Sequence, residues 1–226
     1  MKPWNVSLTC IAALVLGTTA RAQPSLTAPM YAVESGKRAE NLSQRIAKDE
    51  VMRRVGKAVA RGEGAALVGQ PPAWKLSLKA TDYTPTGKRA VVSALAESLP
   101  AGQRAEFMTA ATGLQKDAEA LLPRKNNLAV AAGTLVMAAL NVVRPRDYPD
   151  AQVNLVMKAI NDALGSMSGW KQVSDEAKTD AADLFVVTAM LLATSSEQAK
   201  LTKDPAQKQQ AEALAKTVLT SFGVEL

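Results

Sequence analysis

Leu128 to Val143 limits most sharply what this chain can fold into. The run is apolar save for Gly133, Thr134 and Asn141, with Asn126-Asn127 before it and Arg144-Pro145-Arg146 after it. As a helix it would be about 24 Å long, short of the roughly 30 Å hydrocarbon core of a bilayer. A helix apolar on every side has to be buried. The remainder of the chain must therefore wrap it.

Composition says with what. Of the 226 residues, 47% are hydrophobic but only 4% aromatic, and alanine is abundant. That favours close-packed helices over a sandwich, which draws on aromatic and β-branched side chains. The punctuation agrees. Thr84-Pro85 reads as a cap and first residue of a helix reaching about Leu99, with Val91, Val92, Leu95 and Leu99 on one side. Pro100-Ala101-Gly102 turns into a helix over about 103–122, with Phe107, Met108, Leu114 and Leu121 inward. Asn126 or Asn127 caps the apolar helix. Asp147 caps the next, with Asp150 in a capping-box position and Val153, Val156, Met157, Ile160 and Leu164 as its stripe. Gly165 and Gly169 frame a loop that presents Trp170. Ser174 caps a long helix with Asp175 and Glu176 in its first turn, and Asp204-Pro205 starts a last helix that Gly223 stops. The expectation is an all-α fold: a bundle of about five helices over residues 82–226, with one additional basic helix in front.

The first 22 residues read as an address. Lys2, the apolar run Val6–Leu16 and Ala20-Arg21-Ala22 come in secretory order, with cleavage expected between Ala22 and Gln23. Cys10 lies inside the apolar run, so it does not read as a lipid-modified cysteine. Cleavage would leave 25 basic and 21 acidic residues and no cysteine. The expected location is periplasmic or extracellular. Residues 23–81 carry ten basic and five acidic side chains, so the positive excess sits in this segment. The segment is expected to be flexible apart from one helix at about 38–61, with an apolar stripe of Leu42, Ile46, Met52, Val55 and Val59. That helix either packs on the bundle through its stripe or offers Arg53, Arg54 and Lys57 to an anionic surface or another envelope protein. After the loop at Gln70-Pro71-Pro72, Trp74, Leu76 and Leu78 alternate with Lys75, Ser77 and Lys79. This suggests a short extended piece lying on the bundle.

Four short motifs carry a resemblance. They are Lys79-Ala80-Thr81-Asp82-Tyr83-Thr84-Pro85-Thr86, Asn126-Asn127-Leu128-Ala129, Ser174-Asp175-Glu176-Ala177-Lys178 and the closing Gly223-Val224-Glu225-Leu226. In this order and spacing, residues 76–226 resemble a family of uncharacterised exported bacterial proteins built around a helical domain of unknown function. The resemblance implies an all-helical exported domain and supplies no catalytic residue. It gives the basic segment no counterpart.

The chemistry left open is narrow. With no histidine and one cysteine, the chain holds no Ser-His-Asp or Cys-His machinery and no His/Cys zinc site. Neither a cofactor nor a metal is expected. Glu176, Asp180 and Asp183 share one helix face, as a cation site or a hydrolase's carboxylates would, but a solvated face near a helix N-terminus explains them as well. Ser35 with Lys37, and Ser174 with Lys178, are chemically allowed Ser-Lys pairs. The latter reads better as a cap and an exposed lysine. Asn141 is either a structural amide bonded to a neighbouring helix or a polar group lining a small pocket. Trp170 is either an exposed binding aromatic or a cover for the edge of the core. Arg144 and Arg146 suit the C-terminal dipole of their own helix. Export, a near-neutral main domain and the lack of interleaved aromatics argue against nucleic acid, despite a pI of about 9.5. The expected function is a non-enzymatic interaction module. The alternatives are a small carboxylate-based hydrolase and a carrier of a small apolar ligand between helices.

Overall fold

The computed structural model describes residues 34–63, 74–86, 90–97 and 100–226. Ala22, Gln23, Cys10, Leu99 and the loop at Gln70-Pro71-Pro72 lie outside the described residues, as do the side chains of Ser35, Leu95, Leu114 and Leu121. Among the described residues eight α-helices follow one another: α1 (Glu34–Ala47), α2 (Glu50–Arg61), α3 (Ala90–Glu97), α4 (Ala101–Leu121), α5 (Leu128–Val143), α6 (Asp150–Gly165), α7 (Asp175–Thr202) and α8 (Pro205–Ser221). Two 3₁₀ turns, Leu78–Thr81 and Trp170–Gln172, lie among the same residues. Among the described residues there is no strand, only an isolated bridge between Asp82 and Asn127. The fold is all-α.

Helix α5 is the axis. It packs on α7, α8 and α6, and Leu128, Ala132, Val136, Ala139 and Leu140 have no exposed surface. The caps named from the sequence hold it and its neighbours in place. The side chains of Asn127, Ser174 and Asp204 accept from Val130 N, Ala177 N and Ala206 N respectively.

Among the described residues six helices stand after residue 82, where about five were expected, and several edges differ. The basic helix is two helices, because Asp49 breaks it. Asp49 is extended, at φ −75° and ψ 124°, and its carboxylate accepts from Met52 N to start α2 afresh. Both helices take the packed alternative. Ile46, Met52, Val55 and Val59 are fully buried; α1 lies on α7 and α6, and α2 on α6. At Gly56 an added Cβ would come within 2.8 Å of Val224 Cγ2, so the chain end is pressed into α2 where the side chain is missing.

Residues 84–86 lie outside any helix, so Thr84-Pro85 does not open α3. Helix α6 starts at Asp150 behind Pro149, not at Asp147, and no side chain caps it. Residues 74–83 form a strap rather than a strand. Trp74, Leu76 and Leu78 are half-buried and Lys75, Ser77 and Lys79 exposed, so the period-2 pattern records one-sided burial of an irregular segment that enters a 3₁₀ turn at Leu78, not of a strand. The strap sits tight on the end of α6: a Cβ on Gly165 would fall 2.6 Å from Leu76 Cδ1 and 3.2 Å from Ala80 Cβ.

Candidate functional site

Three polar groupings are built on this frame. The first fastens the strap. Asp162, buried on α6, accepts from the backbone N–H of Lys75 at 2.7 Å and of Leu76 at 3.0 Å. The neighbouring Asn161 gives its amide to Ser77 O at 3.1 Å and takes the Thr81 hydroxyl at 3.0 Å. Asn127 caps α5 with its carbonyl oxygen and donates its amide to Leu78 O at 2.7 Å and Asp82 Oδ1 at 2.8 Å. Arg124 holds Asp82 through both oxygens, with Nε at 2.6 Å from Oδ1. That hydrogen bond keeps the Asp82 carboxyl below the usual carboxylate range against the opposing effect of burial, with Asn127, the Arg124 charge and Lys79 adding to the lowering. Trp170 donates its indole N–H to Ala80 O at 2.8 Å. Three of the four motifs behind the family resemblance, around residues 81, 127 and 178, meet here, in a group that binds the chain to itself.

Trp170 is therefore a buried cover of the core edge, 5% exposed. Lys178 is not the exposed lysine that its spacing from Ser174 suggests. Its stem is buried, and its ammonium lies 4.9 Å from the Trp170 ring centroid and 3.6 Å from Asp175 Oδ1. Lys178 donates its backbone N–H to Ser174 O at 3.1 Å in the first turn of α7, while the Ser174 hydroxyl serves as the cap of that helix.

The second grouping lies between α7 and α4. Glu176 is exposed, but Asp180 and Asp183 are 6% and 2% exposed, so the three acids are not one solvated face. For Asp183 the reason is that α4 packs on this side of α7. Gln115, with no exposed surface, donates from Nε2 to Asp183 Oδ1. Both carboxylates are almost wholly shut off from solvent. Among the described residues no group of three or more acidic or cysteine ligands converges as a metal site would.

The third grouping surrounds α2. Arg144 Nη1 donates to Ala60 O at 3.1 Å, and Arg146 donates to Val59 O. These arginines thus satisfy the last carbonyls of α2, not the end of the helix they follow. Arg146 also stacks 4.5 Å from the Tyr148 ring centroid, and burial raises the Tyr148 phenol above its ordinary value against the effect of both arginines. On the outer side, Arg53 and Arg54 are exposed, while Lys57 reaches Glu225 Oε2 at 2.6 Å. This hydrogen bond first, then the Lys57 charge, keeps the Glu225 carboxyl below its usual range despite desolvation, and Arg53 and Arg61 act in the same direction.

Asn141, expected to be buried, is exposed. Helix α5 is apolar nearly all round but is left uncovered at this position, and an amide there needs no protein partner. A cavity lined by Ala39, Ser43, Leu135, Phe185, Thr188 and Ser221 measures about 10 Å³, room for a single water, so it offers no berth to a small apolar ligand.

Sequence reasoning missed Asn161, Asp162, Thr81 and Gln115. The available signal was an Asn-Asp pair inside the apolar stripe of α6, next to Ile160 and before Leu164. Among the described residues no helix is long and apolar enough to cross a membrane. With Cys10 as its one cysteine, the chain forms no internal disulfide.

No curated protein and no solved structure matches the chain. A family model matches residues 6–226, so the likeness extends through the basic segment, which the sequence motifs had left without a counterpart. The polar strap, the long capped helices and the basic front helices all fall within that match, and the chain belongs to a family of unknown function, DUF6683.

Proposed function

We propose that this protein is an exported, non-enzymatic interaction module of the bacterial envelope or exterior. The secretory order of residues 1–22 supports export. The observation that carries the interaction reading is the placement of polar groups. The buried ones at the strap are engaged in holding the chain to itself, and the buried Asp183 of α7 meets Gln115 of α4. By contrast, Arg53, Arg54 and Arg61 stand exposed on a helix whose other side is locked in the core. Carboxylate catalysis would require an acid with a raised pKa in a solvent-reached cleft. Asp180 and Asp183 are 6% and 2% exposed, which leaves a substrate little of either to reach.

The experiment is fractionation with intact-mass analysis. The expected species is a chain beginning at Gln23 in the envelope or the medium. A full-length cytoplasmic chain that keeps Cys10 would overturn the export reading.

A further inference from the structure

The outer side of α2 is cationic along its length. With about 100° between successive residues, Arg53, Arg54, Lys57 and Arg61 fall within one sector of about 100°, opposite Met52, Val55 and Val59. Glu50, in the first turn, is the acid on that side. The apolar side is fixed against α6, so α2 has no apolar edge free to insert into a membrane. Nor does it offer the aromatic or aliphatic anchors on which protein interfaces centre. The large exposed apolar side chains among the described residues are Leu201 and Leu226, neither of them on α2. A row of guanidinium groups without an anchor suits a dense array of phosphates better than a folded partner, because each guanidinium can hold a phosphate through paired hydrogen bonds.

We propose that this face of α2 rests on the headgroups of an anionic phospholipid bilayer, bound by charge and without insertion. The inference rests on the interaction reading above and names its partner. Arg53, Arg54 and Arg61 meet the phosphates directly. Glu225 occupies Lys57 and so holds back one of the four cations. Such binding is weak, reversible and screened by salt.

The test is sedimentation of the chain, in the form that cells accumulate, with phosphatidylglycerol vesicles and with phosphatidylcholine vesicles. Binding is expected to the former only, at low ionic strength, and should fade towards physiological salt. Arg53→Gln and Arg54→Gln should each lower partitioning about fivefold at low salt. Glu225→Gln should raise it, because Lys57 is then released to the headgroups. Lys208→Gln removes the same charge from α8 about 20 Å along the helix from its C-terminal end, beyond which Val224 and Glu225 reach α2, and should leave partitioning unchanged. Salt-independent binding, an equal loss in Lys208→Gln, or no sedimentation with phosphatidylglycerol would each overturn the inference. Binding to poly-glutamate without binding to vesicles would also overturn it, and would assign the face to an acidic protein instead. A chain found outside the cytoplasm that ignores the vesicles overturns this inference alone. A cytoplasmic chain that binds them overturns export alone.

Discussion

Helix α6 is gripped on two sides, by α2 and by the strap at residues 74–83, and the two grips use opposite chemistry. Against α2 the contact is apolar, made through Met52, Val55 and Val59 with no exposed surface. Against the strap it is polar, through Asn161, Asp162 and the backbone groups they satisfy. Apolar contact is non-directional and roughly proportional to the area removed from water. It positions a helix but leaves its rotation to be fixed elsewhere, here by the Asp49 cap at one end and by Arg144 and Arg146 at the other. Hydrogen bonds are directional. A segment with few side chains to bury can be fixed by them in one conformation, provided every buried group finds its partner. The strap is short and half-exposed, and area alone would hold it poorly.

If that contrast is right, the apolar grip is the more costly to weaken. Met52→Ala leaves a cavity where a fully buried side chain filled the space between α2 and α6. The expected loss is about 2–5 kcal/mol, read from urea denaturation. A loss below that of any strap variant would break the comparison.

Asn161→Ala comes next. It strips the Thr81 hydroxyl and the Ser77 carbonyl of a buried partner, at about 1–3 kcal/mol. It should also speed hydrogen exchange at Lys75 and Leu76 while α5 amides stay protected, because the strap would open before the bundle does. Uniform acceleration throughout the chain would show that strap and bundle are a single cooperative unit. A smaller effect is expected for Trp170→Phe, which keeps a ring over the core but removes the donor to Ala80 O. Its expected cost is about 0.5–1.5 kcal/mol in the same measurement.

The two grips also differ in how far they could be read from the chain. Leu42, Ile46, Val55 and Val59 announce a buried stripe by spacing alone, since helical periodicity is local. The caps at Asn127, Ser174 and Asp204 are equally local and stand where the sequence puts them. Asp49 had a signal in the stripe itself: six positions separate Ile46 from Met52, which on one continuous helix would put them roughly 240° apart, so the apolar side changes phase there. The strap's fastening is non-local: Thr81 meets Asn127 across 46 positions and Asn161 across 80. No pattern along the chain links such residues, and an asparagine on an apolar face looks the same whether its partner is water or a remote hydroxyl. Asn141 and Asn161 illustrate both outcomes, the first exposed and the second buried. Arg144 and Arg146 teach the same point. Their place after α5 has a sufficient local explanation, and the carbonyls they satisfy belong to a helix some 80 positions earlier. For Asp183 the dipole of α7 was also explanation enough, and the cover provided by Gln115 of α4 was not legible.

The smallest effect tests the outer edge of the strap. Asp82 and Arg124 are each about a third exposed, at 35% and 34%, so their pairing is partly screened. The Arg124 hydrogen bond, with help from Asn127 and Lys79, sets the Asp82 carboxyl below its ordinary value in the folded chain. The ordinary value, near 3.9, applies in the unfolded chain. A lowered carboxylate contributes stability that is fully present above the unfolded value and is lost as pH falls through the folded one. Asp82→Asn keeps an oxygen for Asn127 and removes the charge. At pH 7 and pH 5 it should therefore lower the melting temperature by the same amount, at most about 3 °C. At pH 3 that difference should shrink, because the carboxyl of the parent is then beginning to take up its proton, and raised salt should shrink it at neutral pH as well. A difference that stays constant from pH 7 to pH 2 would mean that Asn127 holds this end of the strap without help from charge, and that the polar grip ends at the buried residues.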